Sequence, residues 1–243
     1  MGKLKISLIL FLFILSYATL AGPPFQTDDP EPVDYKHWEY YISSINTFQP
    51  HTFNGTLPHF EVNYGLVHNV QIHLLLPFNY TFQAHQNMQY GYGYTELGLK
   101  YRFVQETEYS PQIGTFPILE IPTVPANGFN NGRIQLYLPI WLQKSWNKLT
   151  TYGGGGYWIN PGDYNKNWTF IGWEVQYDFA EALTLGGELY YHSAQTSDSQ
   201  SSVGFNAGGI LNFNSKVHFI FSVGHTIINE ASFNFYVGLL VTI

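Results

Sequence analysis

The sequence predicts an all-β protein, a transmembrane antiparallel up-and-down β-barrel of about twelve strands with both termini periplasmic. Three observations lead there. The composition is aromatic and poor in charge: 19 Tyr, 19 Phe and 6 Trp stand against 17 Asp and Glu and 10 Lys and Arg in 243 residues. Apolar residues recur with a period of two rather than a helical 3.6. The spacers between the alternating stretches are short and long in turn, as the turns and loops of bacterial outer-membrane barrels are.

Charged residues make up 11% of the chain, less than half of what a soluble domain usually carries. The mean hydropathy of −0.10 argues against a bundle of membrane helices, and 45% hydrophobic residues argue against disorder. A net charge of −7 would repel phosphates, so nucleic acid is not expected as a partner.

Residues 1–21 read as a secretory signal. Lys3 and Lys5 precede an apolar run from Ile6 to Leu20, and Thr19 and Ala21 place small residues at −3 and −1 of a cleavage site. The run is shorter than the ~20 residues needed to span a bilayer as a helix. Cleavage would remove two lysines and take the net charge from −7 to −9. The chain has no cysteine, which excludes lipid attachment at cysteine and disulfide bonds alike.

Residues 22–36 form a Pro- and acid-rich leader, taken as periplasmic, whose prolines cannot join a ladder. Whether it hangs free or folds up into the pore is left open by the residues alone. The barrel proper, 37–243, divides into strands near 37–46, 57–66, 70–81, 93–104, 113–123, 133–144, 148–159, 168–178, 182–193, 202–213, 216–227 and 232–243. Each is close to the 9–11 residues of a tilted spanning strand. The spacers 67–69, 145–147, 179–181 and 214–215 are tight, with 105–112 the long member of that set. The spacers 47–56, 82–92, 124–132, 160–167 and 194–201 are longer and rich in Asn, Gly, Pro, Gln and Ser; 228–231 is short.

Alternation assigns the faces. In the third strand Val70, Ile72, Leu74, Leu76 and Phe78 oppose Gln71, His73 and Asn79. In the sixth Ile134, Leu136, Leu138, Ile140 and Leu142 oppose Arg133, Gln135, Tyr137, Trp141 and Gln143. The last strand puts Phe233, Phe235, Val237, Leu239, Val241 and Ile243 on one side. Tyr80, Tyr94, Trp146, Trp158, Trp168 and Tyr177 near strand ends are candidates for the aromatic girdles. Extending the alternation turns Glu39, Glu61, Glu96, Glu120, Glu174 and Glu188 inward, together with Lys100, Arg102, Arg133 and Lys216. A Lys or Arg facing lipid at mid-bilayer costs about 2–4 kcal/mol. These ten residues are therefore the candidate lumen lining, either a salt-bridged plug or a narrow, slightly cation-preferring pore.

No enzyme, metal site or cofactor is signalled. His192 and Ser193 are adjacent on a strand and face opposite sides, so they do not make a nucleophile–base pair near Asn206. The nine histidines show no HExxH spacing and no His-x-His pair; His59 and Glu61 share a face but fit a lumen hydrogen bond better than a metal. Gly153–Gly156 lacks the lysine and helix of a phosphate loop and marks a bend or a close approach to the wall. Asp28, Asp29 and Glu31 suit a solvated leader better than a calcium site.

The stretch Gly22–Tyr41, GPPFQTDDPEPVDYKHWEYY, resembles the start of the Gram-negative outer-membrane barrels grouped as meta-pathway phenol-degradation proteins, often labelled "transporter". The Pro-Phe-x-Thr-Asp-Asp-Pro-Glu-Pro string followed by Trp38-Glu39 carries the resemblance; the rest is similar in architecture only. The resemblance implies an outer-membrane barrel that handles hydrophobic aromatic compounds. The final strand resembles the signal read in barrel assembly, but ends in Ile243 where Phe or Trp is usual.

The expectation is therefore a channel or transporter for small molecules, hydrophobic aromatic ones among them, in the Gram-negative outer membrane. Its partners would be outer-membrane lipid, the barrel-assembly machinery and a small solute. A closed structural or surface-interaction barrel is the alternative, and a barrel enzyme the third.

Overall fold

The computed structural model describes residues 23–229 and 231–243; the signal segment lies outside the described residues. Fourteen strand segments follow in order. They are β1 (Trp38–Gln49), β2 (Thr52–Val67), β3 (Val70–Gln83), β4 (Gln89–Tyr92), β5 (Thr95–Val104), β6 (Gln112–Thr115), β7 (Ile118–Ile121), β8 (Gln135–Trp146), β9 (Leu149–Ile159), β10 (Trp168–Ala180), β11 (Leu183–His192), β12 (Ser202–Asn212), β13 (Val217–Ile228) and β14 (Phe233–Thr242). Every neighbouring pair is antiparallel, and β1 pairs with β14 from Glu39↔Thr242 to Phe48↔Phe233, so the sheet closes. β4 and β5 both pair with β3, and β6 and β7 both lie between β5 and β8. Each of these couples is one interrupted stave, giving the predicted twelve-stave closed barrel.

Proline explains both interruptions. The ladder between β3 and its neighbour stops after Leu75↔Glu96 and resumes at Phe78↔Tyr92. Pro77 sits in the gap, and only its carbonyl is used, accepting from the Gly93 N–H at 3.1 Å. The stave of β6 and β7 breaks at Phe116-Pro117, opposite Pro139 of β8. There the Pro139 carbonyl accepts from Thr115 Oγ1 at 2.6 Å and the Pro117 carbonyl from the Leu99 N–H at 3.1 Å. A residue without an N–H cannot hold both sides of a ladder, so the pairing opens around it.

The connections differ from expectation in two places, the first being the spacer predicted over 82–92, which contains β4. The loop predicted over 47–56 shrinks to Pro50-His51, because His51 adopts a left-handed backbone (φ 71°) and lets the strands pair out to Gln49↔Thr52. Asn69 and Asn147 take the same conformation (φ 65° and 54°) in turns at the end that carries the termini, where asparagine tolerates it well.

The outward face is an apolar band. Ile171, Trp173, Val175 and Tyr177 of β10 are exposed, as are Leu97, Leu99, Tyr101 and Phe103 of β5 and Val237 and Leu239 of β14. No helix among the described residues is long and apolar enough to cross a membrane. The inward face is mixed rather than uniformly polar. Tyr41, Ile210, Ile220, Tyr236 and Leu240 pack in one interior cluster, and Phe116, Tyr137, Trp141, Phe170 and Tyr190 in another. Trp158 and Trp168 join this second cluster; they therefore point inward and not into a girdle, while Trp146 and Tyr177 remain exposed.

Ile171→Lys, on the outward face, should destabilise the barrel in lipid vesicles by about 2–4 kcal/mol, read from urea unfolding. Gln176→Lys, two and a half pleats along on the inward face, should cost clearly less. Equal losses would contradict the assignment of faces.

Candidate functional site

The leader, whose course the residues alone leave open, does not extend away from the barrel. It folds into the lumen as a loop that enters and leaves at the mouth carrying the termini, where Pro23 and Asp34 both line a cavity of about 890 Å³. At its deepest, Thr27 and Asp29 have no exposed surface. Such a segment cannot use ladder hydrogen bonds, so its backbone groups need side-chain partners from the wall. Ser222 Oγ donates to the Pro24 carbonyl at 2.7 Å. The Gln26 and Thr27 N–H groups and Thr27 Oγ1 donate to the Glu188 carboxylate at 2.8, 2.7 and 2.6 Å. Further on, the Val33 N–H donates to Gln71 Oε1 at 2.9 Å. Gly172 and Gly65 give the segment room. A Cβ at Gly172 would collide with Thr27 Oγ1, and one at Gly65 with the Asp34 carbonyl.

The leader's acids meet the bases of the wall. Lys100 Nζ lies 2.9 Å from Asp28 Oδ1 and 3.2 Å from Asp29 Oδ2, with its side chain almost fully buried. Glu31 lies 3.6 Å from Arg102 Nη1 and accepts from Gln112 Nε2 and Gln143 Nε2 at 3.1 and 2.9 Å. Burial pushes the Asp29 carboxyl well above the usual carboxylate range, while Lys100 pulls it back down.

Two acidic groups flank this centre. Glu61 accepts from Asn63 Nδ2 at 2.8 Å and lies 3.4 Å from His73 Nδ1. The other ring nitrogen of His73 is 3.9 Å from Glu96, which faces Glu120 directly across β5 and β7. Glu39 accepts from Tyr41 at 2.9 Å. On the far wall Glu174 and Glu188 are register partners across β10 and β11. Glu188 takes donors from the leader and from Asn206. The Glu174 carboxylate is fully buried and receives no hydrogen bond from a described residue.

The structure thus brings Glu39, Glu61, Glu96, Lys100, Arg102, Glu120, Glu174 and Glu188 to the inner face of the strands. Two candidates fall elsewhere. Arg133 is exposed in the connection before β8, which begins at Gln135, and Lys216 is exposed in the turn before β13. Extrapolated alternation carried both past the ends of their strands. Gln71, His73 and Gln143, which alternation turns inward, join the site, as does Gln112, which the sequence reading does not single out. Ser202, not Ser193, meets His192, with Oγ 2.9 Å from Nε2.

Above the leader runs an aromatic ladder. Tyr137 stacks on Trp158 (4.7 Å between ring centres), Trp158 on Trp168 (5.4 Å), and Trp168 meets His192 edge-on (6.1 Å). Phe170 and Tyr190 stack at 6.4 Å. The run Gly153–Gly156 in β9 permits this, since a Cβ at Gly156 would collide with the Tyr137 ring. The sequence signal for the ladder was present in the parity of Trp158 and Trp168 with Gly154, Gly156, Phe170 and Gly172.

Pro30→Cys gives a thiol probe at a fully buried leader position in a chain without other cysteines. Maleimide should label it slowly in the folded barrel, and at least tenfold faster when Glu188→Ala removes the acceptor of three leader donors, each charged hydrogen bond being worth about 1.5–3 kcal/mol. Rapid labelling without the second change would place the leader outside.

No protein-family model matches the sequence, and no curated protein matches it. Solved structures do. The chain is similar to an outer membrane channel from Pseudomonas putida F1, with a TM-score of 0.70 at 14% identity over 88% of this chain and 98% of that one. It is also similar to the KdgM porin in complex with disordered oligogalacturonate, with a TM-score of 0.55 at 10% identity over 83% and 98% of the two chains. The translocator domain of the autotransporter NalP from Neisseria meningitidis gives 0.58 at 7% identity over 86% and 90%. The protein is built on the fold of the outer-membrane β-barrels.

Proposed function

We propose that the protein is an outer-membrane channel for small molecules, with aromatic compounds among its solutes. The observation that carries this is the inner face of the closed barrel, which combines a stacked aromatic ladder with a charged lumen and an open cavity at one mouth. A ring passing such a wall meets aromatic contacts worth roughly 0.5–1.5 kcal/mol each beyond its buried area, too little to trap it. The likeness to an outer membrane channel of Pseudomonas putida F1 supports the channel reading. The resemblance of Gly22–Tyr41 to the phenol-degradation barrels agrees with the aromatic part of it.

In this reading the signal of residues 1–21 is removed on export, the barrel-assembly machinery inserts the chain in the Gram-negative outer membrane, and lipid surrounds the apolar band. Glu39, Glu61, Glu96, Lys100, Arg102, Glu120, Glu174 and Glu188 line the pore, with Arg133 and Lys216 near its mouths.

A closed barrel that only fills its own interior is the second reading. The leader favours it, together with the fully buried Trp141, Tyr152, Ile220 and Leu240. Planar-bilayer recording on the purified protein separates the two. The channel reading expects discrete conductance steps that grow when residues 23–34 are deleted. A folded, leader-deleted barrel that passes no current would support the closed reading and overturn the channel.

A further inference from the structure

The leader reaches its place by offering carboxylates to donors that the wall already holds. Within the strands, Lys100 and Arg102 are the bases among the inward candidates, and both are met by leader acids. Around Glu31 the wall supplies Gln112 and Gln143 from two different staves, each donating through its amide nitrogen. Four wall side chains converging on carboxylates make a recognition site, and here its occupant belongs to the chain itself. This site also touches the aromatic ladder. Lys100 Nζ lies over the Phe116 ring, 5.0 Å from its centre, and Phe116 belongs to the cluster of Tyr137, Trp141, Phe170 and Tyr190.

We propose that the junction of Lys100, Arg102, Gln112 and Gln143 with the Phe116 ring is a binding site for aromatic carboxylates such as benzoate, and that the leader's acids occupy it in the solute's place. The inference rests on the channel reading and names its solute class. A planar ring that packs into the cluster of Tyr137, Trp141, Phe170 and Tyr190 also meets Phe116, and a carboxylate on that ring then meets the Lys100 ammonium group beside it. The remaining acidic strand residues turned inward, the glutamates and Asp178, surround this junction, so an anion finds strong donors at it and repulsion around it. That arrangement makes the site selective: a ring without a carboxylate cannot displace Asp28 and Glu31, and a carboxylate without a ring gains nothing from the ladder. Displacement of the leader by the solute would couple binding to opening.

The test compares the mature chain with a variant lacking residues 23–34, which removes the acids that hold the site. Benzoate, acetate and benzyl alcohol are titrated calorimetrically into both folded proteins. Benzoate is expected to bind the leader-deleted form at least tenfold more tightly than the intact chain, and at least tenfold more tightly than either acetate or benzyl alcohol. In the leader-deleted form Lys100→Gln should lower benzoate affinity about tenfold and leave benzyl alcohol unchanged; should that variant fail to fold, the comparison of the three solutes still decides. Equal benzoate binding by the intact and leader-deleted forms, or benzoate no tighter than the two controls, overturns the proposal. Bilayer recording on the same samples keeps the two levels apart. Conductance without benzoate discrimination overturns the carboxylate site and leaves the channel standing, whereas benzoate discrimination without conductance does the reverse.

Discussion

The pairing of β1 with β14 is the contact on which the other features depend. Until it forms, the sheet has two edges whose N–H and C=O groups have no partner in lipid, where each unsatisfied group costs several kcal/mol. Once it forms, every stave has a lipid side and an enclosed side, and a residue's parity fixes its solvent. The same closure that lets Ile171 and Leu239 face acyl chains commits Glu174, Glu188 and Lys100 to an interior from which bulk water is largely excluded.

Enclosure then creates the problem that the leader solves. Lys100 is almost wholly buried, and a buried cation without a partner is far more costly than a buried pair. Asp28 and Asp29 supply that partner, and Glu31 does so for Arg102. Glu188, in return, satisfies backbone donors that a proline-rich segment cannot place in a ladder. Leader and wall are complementary in both charge and hydrogen bonding, although the secondary structure they share is an isolated bridge between Tyr35 and Gly65. Glycine at 65 and 172 completes the fit by leaving space where a side chain would stand.

Much of this was legible in the sequence. The alternation in β3, β8, β10 and β14 gave the correct faces, and the rhythm of short and long spacers gave twelve staves, because both follow directly from a pleated, closed sheet. The failures have specific causes. Pro117 and Pro139 split a stave that a count of alternating residues joins into the single strand 113–123, and beside Pro77 the short β4 lies in what reads as the spacer 82–92. His51 closed a turn where the polar composition of 47–56 suggested a loop. Arg133 kept the parity of β8 but lay beyond its first paired residue. Trp158 and Trp168 are girdle candidates by residue type and their place near strand ends, whereas parity with their glycine neighbours turns them inward. The leader was the hardest to place, because side-chain hydrogen bonds to backbone leave no periodic trace. Its acids, together with the inward parity of Lys100 and Arg102, are the available signal.

Residues 23–34 are held inside the closed barrel by the wall's own side chains. Hydrogen–deuterium exchange at the leader amides tests it most directly, because the Gln26, Thr27 and Val33 N–H groups donate to Glu188 and Gln71. Those three amides should exchange on the slow timescale of the β-ladder around them. Exchange as fast as in an unstructured peptide would contradict the account.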